Sequence, residues 1–255
     1  MELIDTHCHL DVSDFNADRD VILARCRALG ITRIIVPAVD AEGWPQLLAL
    51  CRRQPGLYPA LGLHPLYIDK HTDQHLADLE RRLSGNNVVA VGEIGLDYFV
   101  EPTDKNRQQA LFEAQLALAR TANLPVLLHV RKAHDQVLAT LRRLRVRGGI
   151  AHAFNGSRQQ ADQYLALGFK LGFGGMLTYE RASRIRALAR QLPLEALVLE
   201  TDAPDMAVSA HQGERNSPEY LPDCLKALAE LREEPVEQLA VQTTRNAMEV
   251  LRLHD

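Results

Sequence analysis

The sequence predicts a (β/α)8 barrel, and three observations carry that prediction. Short β-branched or apolar runs alternate with longer stretches of helical periodicity along the whole chain. Eight such strand-then-helix units can be counted, and 255 residues is the size of one such barrel. No linker, low-complexity tract or charge block divides residues 1–255, which therefore read as one domain. An open doubly wound sheet is the main competitor, but it usually has about five or six strands and a Gly-rich phosphate turn after the first. Here the first strand runs into His7-Cys8-His9-Leu10-Asp11, with no glycine.

Taken in order, the strands are expected at 3–7, 33–37, 58–62, 88–93, 126–129, 150–152, 170–173 and 197–201. The first leads into His7 and His9, and the third into His64. The fourth closes on Glu93, the fifth on His129 and the sixth on His152, while the eighth is followed by Asp202. The seventh ends in Gly172, Gly174 and Gly175, with no polar ligand. Helices are expected at 18–29, 42–53, 73–83, 105–121, 133–145, 158–167, 181–191 and 218–231, with an extra C-terminal helix at 235–251. In the fourth helix Leu111, Ala114, Gln115, Leu118 and Ala122 nearly follow the stripe of a face packed on a sheet. The segment 203–218 is the longest irregular stretch and is expected to loop over the strand ends. Trp44 is assigned to packing.

Composition narrows the function. The chain is 46% hydrophobic and 24% charged, as in an ordinary globular core. Its longest apolar runs are far too short to cross a bilayer, so no membrane association is expected. The opening Met-Glu-Leu-Ile-Asp lacks the basic-then-apolar pattern of a secretory leader. The four cysteines are far apart, without a C-x-x-C pair, which argues against a disulfide framework or a thiolate zinc site. A cytoplasmic location follows as the expectation. A formal charge of −4 argues against a broad basic face for nucleic acid, which usually goes with the opposite balance, so a phosphate substrate is expected to be gripped locally by a few arginines or by metal ions.

His7 and His9 point the same way in an extended segment, because side chains alternate faces. His64, Glu93, His129, His152 and Asp202 are scattered through the sequence, yet each falls at the carboxyl end of an expected strand. In a barrel those ends converge on one mouth, where such enzymes place their active sites. His71, His75, His134 and His254 fall in helix-like or terminal stretches and read as solvated surface, and His211 lies in the long loop. Four imidazoles (His7, His9, His129, His152) and two carboxylates (Glu93, Asp202) exceed what a single catalytic zinc takes. Such a set suits two cations about 3.5–4 Å apart, the arrangement that clamps attacking and departing oxygens in phosphate ester cleavage. The cofactor expectation is therefore two divalent cations, zinc, manganese or magnesium, with the histidines favouring the first two over magnesium.

The motifs Asp5-Thr6-His7-Cys8-His9-Leu10, Gly62-Leu63-His64-Pro65, Gly92-Glu93-Ile94-Gly95-Leu96-Asp97-Tyr98, Leu128-His129-Val130-Arg131 and Leu199-Glu200-Thr201-Asp202-Ala203-Pro204 resemble the TatD family of metal-dependent hydrolases over the whole chain. That resemblance implies an amidohydrolase-like barrel and a metal-dependent deoxyribonuclease. It also implies one ion held by His7, His9 and Asp202, a second held by His129 and His152, Glu93 bridging the two, and His64 at the mouth near the substrate. Two segments depart from the family's pattern. His152-Ala153-Phe154-Asn155-Gly156 replaces a common His-Cys-Phe-Ser-Gly, and Arg215-Asn216-Ser217-Pro218 replaces a common Arg-Asn-Glu-Pro. Neither touches a proposed ligand, and both bear on the substrate pocket.

The expected chemistry is hydrolysis of a phosphoester, with DNA ends or small nucleotides as substrate and no obligate protein partner. Asp202 is the candidate to accept a proton from water and return it to the leaving group, besides serving as a ligand. Arg131 and Arg215 are candidates for a forked contact with phosphate. Gly92 and Gly95 allow close backbone approach around Glu93, and Tyr98, Phe99 and Phe154 are candidate pocket walls. The alternatives are an amidohydrolase-type enzyme acting on a cyclic amide, lactone or deaminable ring, or a non-catalytic metal-dependent binding protein. The first often bridges its ions with a carboxylated lysine, whereas no lysine follows Glu93 until Lys105. The second has no need of six costly polar groups around one cavity.

Overall fold

Strand β4 sets the geometry at the heart of the molecule, because its register changes part-way along. The computed structural model describes residues 1–85 and 88–253. Eight parallel strands form one sheet in chain order: β1 (Leu3–Asp5), β2 (Ile31–Pro37), β3 (Leu57–Leu61), β4 (Ala90–Asp97), β5 (Val126–Arg131), β6 (Gly149–Ala151), β7 (Phe169–Phe173) and β8 (Leu197–Leu199). Thr6 N–H donates to Leu199 O at 3.0 Å and Asp202 N–H to His7 O at 2.8 Å, so the chain beyond β1 meets the chain at the end of β8 and the barrel nearly closes. Around it run α1 (Arg19–Ala28), α2 (Trp44–Arg53), α3 (Asp73–Gly85), α4 (Lys105–Thr121), α5 (His134–Leu144), α6 (Arg158–Ala166), α7 (Ser183–Gln191), α8 (Leu221–Arg232) and the extra α9 (Val236–Leu251). No helix among the described residues is long and apolar enough to cross a membrane.

The two faces of each strand separate the core into two parts. Ile4, Ile35, Ala60, Ala90, Leu127, Ile150 and Val198 pack together inside the barrel, with Ala247, Val250 and Leu251 of α9 and Leu253 beyond it. Their sequence neighbours, such as Ile34, Val36, Leu61, Val126, Leu128 and Leu197, belong to the shell between barrel and helices. Two residues further along, the inward positions become His129, His152 and Glu200. The alternation that builds the inner layer from Leu127, Ile150 and Val198 therefore also delivers the polar groups to its top. In β4 the pairing shifts between Val91 and Ile94, which moves Glu93 rather than Gly92 into line above Ala90.

Three expectations need correction. Strand β4 does not close on Glu93 but continues to Asp97, paired with β5 through Asp97 and Arg131. The buried face of α4 is Gln108, Leu111, Phe112, Gln115, Leu116 and Ala119 rather than the expected stripe, since Ala114, Leu118 and Ala122 are half-buried. Two glutamines turn inward because strand-end backbone needs partners. Gln115 Oε1 accepts from Leu63 N–H at 2.8 Å while its amide donates to Leu63 O at 3.0 Å, and Gln108 Oε1 accepts from Asp97 N–H at 2.9 Å. Finally, His71 and His134 are buried, not solvated. His71 Nε2 donates to His64 O at 2.9 Å, and His134 lies 3.1 Å from Asn155 Oδ1 and 3.2 Å from the Tyr164 hydroxyl. His75 is half-buried, His211 pairs with Glu214 at the surface (2.7 Å), and the expectation for His254 lies outside the described residues.

Leu127 is fully buried in the inner layer. Leu127→Ala is expected to lower unfolding free energy by about 2–5 kcal/mol. Urea denaturation measures this, and a loss below about 1 kcal/mol would mean that the inner layer is not a tightly packed plug.

Candidate metal centre

The end of β1 is fixed before its histidines are aimed. The Asp5 carboxylate accepts Thr201 Oγ–H at 2.6 Å, Thr201 N–H at 3.0 Å and His7 N–H at 3.2 Å. Burial pushes the Asp5 carboxyl up to about 7 despite these donors. His7 and His9 then meet through their Nε2 atoms, 3.3 Å apart. His9 Nδ1 lies 3.1 Å from Pro37 O, and a carbonyl only accepts, so Nδ1 carries the hydrogen.

Glu93 receives every imidazole of the mouth, and it sorts them. Its Oε2 lies 3.1 Å from His7 Nε2 and 3.4 Å from His9 Nε2. Its Oε1 lies 2.9 Å from His129 Nδ1, 3.0 Å from His152 Nε2 and 3.1 Å from His64 Nε2. Asp202 Oδ1 completes the first set, 3.7 Å from both His7 Nε2 and His9 Nε2. Ligand atoms close enough to share one ion occur as His7–His9–Asp202, His7–Glu93–His152 and His64–Glu93–His129. His129 and His152 thus reach the same oxygen of Glu93 but do not form a three-donor group of their own. All six sequence-predicted ligands converge, and His64 joins them.

Burial opposes the charge on Glu93, but His64, His7 and His152 around it and the hydrogen bond with His129 hold the carboxyl well below its usual range. Burial lowers His7 well below the imidazole range. For His9 burial is outweighed by Glu93 and Asp202, which lift it to about 9, and His152 is likewise held well above its usual value by Glu93 and Asp202. Burial lifts Asp202 to about 6 against the pull of His152 and His9. This donor set, rich in nitrogen and built around one two-armed carboxylate, fits divalent cations.

The cavity above the centre holds about 670 Å3 and is walled by Val39, Leu66, Tyr67, Phe154, Met176 and Met206 among others. His64 and Arg131 line it, as expected. Arg215 does not, and its expected role is corrected: its guanidinium forks onto Asp18 at 2.6 and 3.0 Å, donates to Asp14 O, and covers Phe15 at 4.7 Å. Of the candidate pocket walls, Phe154 lines the cavity, whereas Phe99 stands outside under Arg131 and Lys132, at 4.2 and 4.7 Å. Both departures from the family's pattern have local partners. Asn155 donates to Ala153 O at 3.1 Å and lines the cavity, while Ser217 bonds Glu219 at 2.9 Å outside it.

Two acids escaped sequence reasoning. Asp97 Oδ2 lies 2.8 Å from His129 Nε2, and alternation from Glu93 through Gly95 to Asp97 is the signal that points to it once β4 is extended. Glu200 Oε1 accepts Ala153 N–H and lies 3.6 Å from His152 Nδ1. Gly172 is the residue that leaves room for it, because a Cβ there would come within 2.1 Å of Glu200 Oε2. Gly95 has a positive φ of +149°, and a Cβ would strike His129 O at 1.9 Å.

Fold and donor set together define the class, a metal-dependent hydrolase on a parallel barrel. The family described as TatD related DNase matches residues 4–252. The uncharacterized metal-dependent hydrolase YjjV of Escherichia coli (strain K12) is 45% identical over 246 residues, 95% of each chain. Its crystal structure superposes with a TM-score of 0.96 at 44% identity, covering 99% of this chain and 98% of that one. The 3'-5' ssDNA/RNA exonuclease TatD of Edwardsiella piscicida is 35% identical over 259 residues, 98% of this chain and all of that protein (100%). The chain belongs to the TatD family of metal-dependent hydrolases.

Because His9, His129 and His152 are each held above the usual imidazole value in the metal-free protein, zinc binding at pH 7 must expel the protons they carry. About two to three protons per chain are expected to be released. The sign follows from raised values: protons compete harder as pH falls, so zinc affinity rises with pH until His9 titrates at about 9. Calorimetry in buffers of different ionisation enthalpy reads the number directly. Binding heats that do not depend on the buffer would contradict this charge state.

Proposed function

We propose that the protein is a phosphodiesterase of the nuclease type, acting on nucleic acid ends or small nucleotides with two divalent cations shared by Glu93. The observation that carries this reading is the division of labour on that carboxylate. One oxygen addresses His7 and His9 and the other addresses His129 and His152. A carboxylate can serve two cations through its two oxygens, whereas each neutral imidazole offers one lone pair. The exonuclease naming of the Edwardsiella relative supports the choice of ester. Free thiols at Cys8, Cys26, Cys51 and Cys224 agree with a reducing compartment, and we assign the protein to the cytoplasm.

Bound divalent cations supply the charge that acidifies water and stabilises phosphoryl oxygens. The chain's own residues do the rest. His7, His9 and Asp202 hold one cation, and His129 and His152 the other. Asp202, at the edge of the centre, would accept a proton from the attacking water and return it to the departing oxygen. Leu66 N–H donates to His64 Nδ1 at 3.1 Å, so the hydrogen of neutral His64 is on Nε2. Burial holds His64 down at about 4, which keeps it neutral with its Nε2–H donated to Glu93 Oε1, and the ring lines the cavity where substrate would enter. Arg131, at the cavity wall, grips a phosphate oxygen while the apolar walls take sugar or base.

The test is a hydrolysis panel with a phosphodiester, a phosphomonoester, a cyclic amide and a lactone, each with chelator and with added zinc, manganese or magnesium. Phosphodiester cleavage is expected to need metal and to fall at least about 100-fold in His129→Ala, some 2.7 kcal/mol of barrier. Cleavage that survives chelation, or turnover of the cyclic amide alone, overturns the proposal.

The two arginines give a separate prediction. Arg131→Ala is expected to raise KM about tenfold, the effect of losing one charged contact of roughly 1.4 kcal/mol. Arg215→Ala is expected to leave KM unchanged, because its fork is closed on Asp18. Steady-state kinetics on the two variants decides, and equal KM increases would refute the division.

A further inference from the structure

Asp97 is buried beside the metal centre and is given no task by the reaction proposed above. Its carboxylate is held in a single orientation. Oδ1 accepts Phe99 N–H at 2.9 Å and Val100 N–H at 3.3 Å, closing the turn after β4. Oδ2 is thereby turned to His129 Nε2 at 2.8 Å, with Arg131 Nη1 at 3.5 Å on its far side. Gln108 fixes the same residue from behind through its backbone N–H.

We propose that Asp97 is a positioning residue for His129, gripping the ring by its Nε2–H so that the Nδ1 lone pair faces Glu93 and the cation held there. The inference rests on the two-cation reading. An ionised carboxylate only accepts hydrogen bonds, so Nε2 keeps its hydrogen against Asp97 whether or not a cation is bound, and the hydrogen that a cation would displace, leaving a lone pair, is the one on the other nitrogen. That other nitrogen lies 2.9 Å from Glu93 Oε1. Of the imidazoles around Glu93, His129 is the one that turns Nδ1 to it, whereas His7, His9, His64 and His152 turn Nε2. A reversed tautomer at His129 would place a hydrogen where the cation binds.

A merely structural Asp97, tying β4 to β5, would be replaced adequately by asparagine. The positioning role predicts otherwise. In Asp97→Asn the amide oxygen stays with the two backbone donors at Phe99 and Val100, so the amide N–H faces His129 Nε2 and donates to it. The ring hydrogen is driven to Nδ1, the wrong nitrogen, as happens when the aspartate of a Ser-His-Asp triad is replaced by asparagine. Turning the amide over would set an N–H against those two backbone N–H groups.

Zinc titration by calorimetry of the chelator-stripped full chain, wild type against Asp97→Asn, tests this, together with metal-free melting curves. Two equivalents are expected in the wild type. In the variant, one equivalent is expected to weaken by about 10–100-fold and the other to stay within about twofold, with the metal-free Tm little changed. An unchanged titration, or equal weakening of both equivalents, overturns the proposal. A second arm needs no variant: 15N chemical shifts of the zinc-loaded wild type should show His129 with its hydrogen on Nε2 and its metal-bound nitrogen at Nδ1. The hydrogen on Nδ1 overturns the proposal even if the variant fails to fold. A wild-type protein that takes up a single equivalent sinks the two-cation reading instead, and the 15N arm still decides the role of Asp97.

Discussion

A carboxylate cut off from water, with five imidazoles turned toward it, is the interaction on which the rest of this barrel depends. Burying the charge of Glu93 is costly by itself, and the imidazoles around it reverse the balance strongly enough to keep the group ionised. Those rings come from four separate parts of the chain, with only His7 and His9 close in sequence, so no local segment can build the arrangement. The parallel sheet, its near-closure at Thr6 and Asp202, and the glutamines of α4 clamping Leu63 and Asp97 all serve to bring and hold these groups together. The centre is a product of topology before it is a product of composition.

That dependence explains what could be read from the linear sequence. Strand ends are marked by simple patterns, and His7, His9, His129, His152 and Asp202 stand a few residues past the last apolar inward residue of their strands, so their convergence is legible as soon as a barrel is inferred. Glu93 was legible as a residue but not in its geometry. The change of register between Val91 and Ile94 leaves no mark in an apolar run, and it both extended β4 and concealed Asp97. The helix faces were read less well. Gln115 falls on the expected packed face, but Gln108 looks solvent-facing by type, and nothing in the pattern shows that both pair with strand-end backbone groups. For the same reason His71 and His134, polar residues in helical surroundings, were misread as surface although each fills a buried polar gap.

Arg215 shows where a motif misleads. An arginine in a long loop over the mouth is placed plausibly for phosphate, but plausibility in sequence says nothing about competing partners. Asp18 offers two oxygens in the geometry a guanidinium prefers, and Phe15 offers a ring beneath it, so this side chain is spent on securing the loop. Arg131, by contrast, reaches its position from a strand, and its neighbours Phe99 and Asp97 leave part of its fork toward the cavity.

The plug formed by α9 carries a consequence of its own. With Ala247, Val250, Leu251 and Leu253 packed against the inner layer, the barrel is a cup with a sealed floor rather than a tunnel. No polymer can be threaded through such a vessel. Whatever reaches the centre must dip in from above and back out by the same opening.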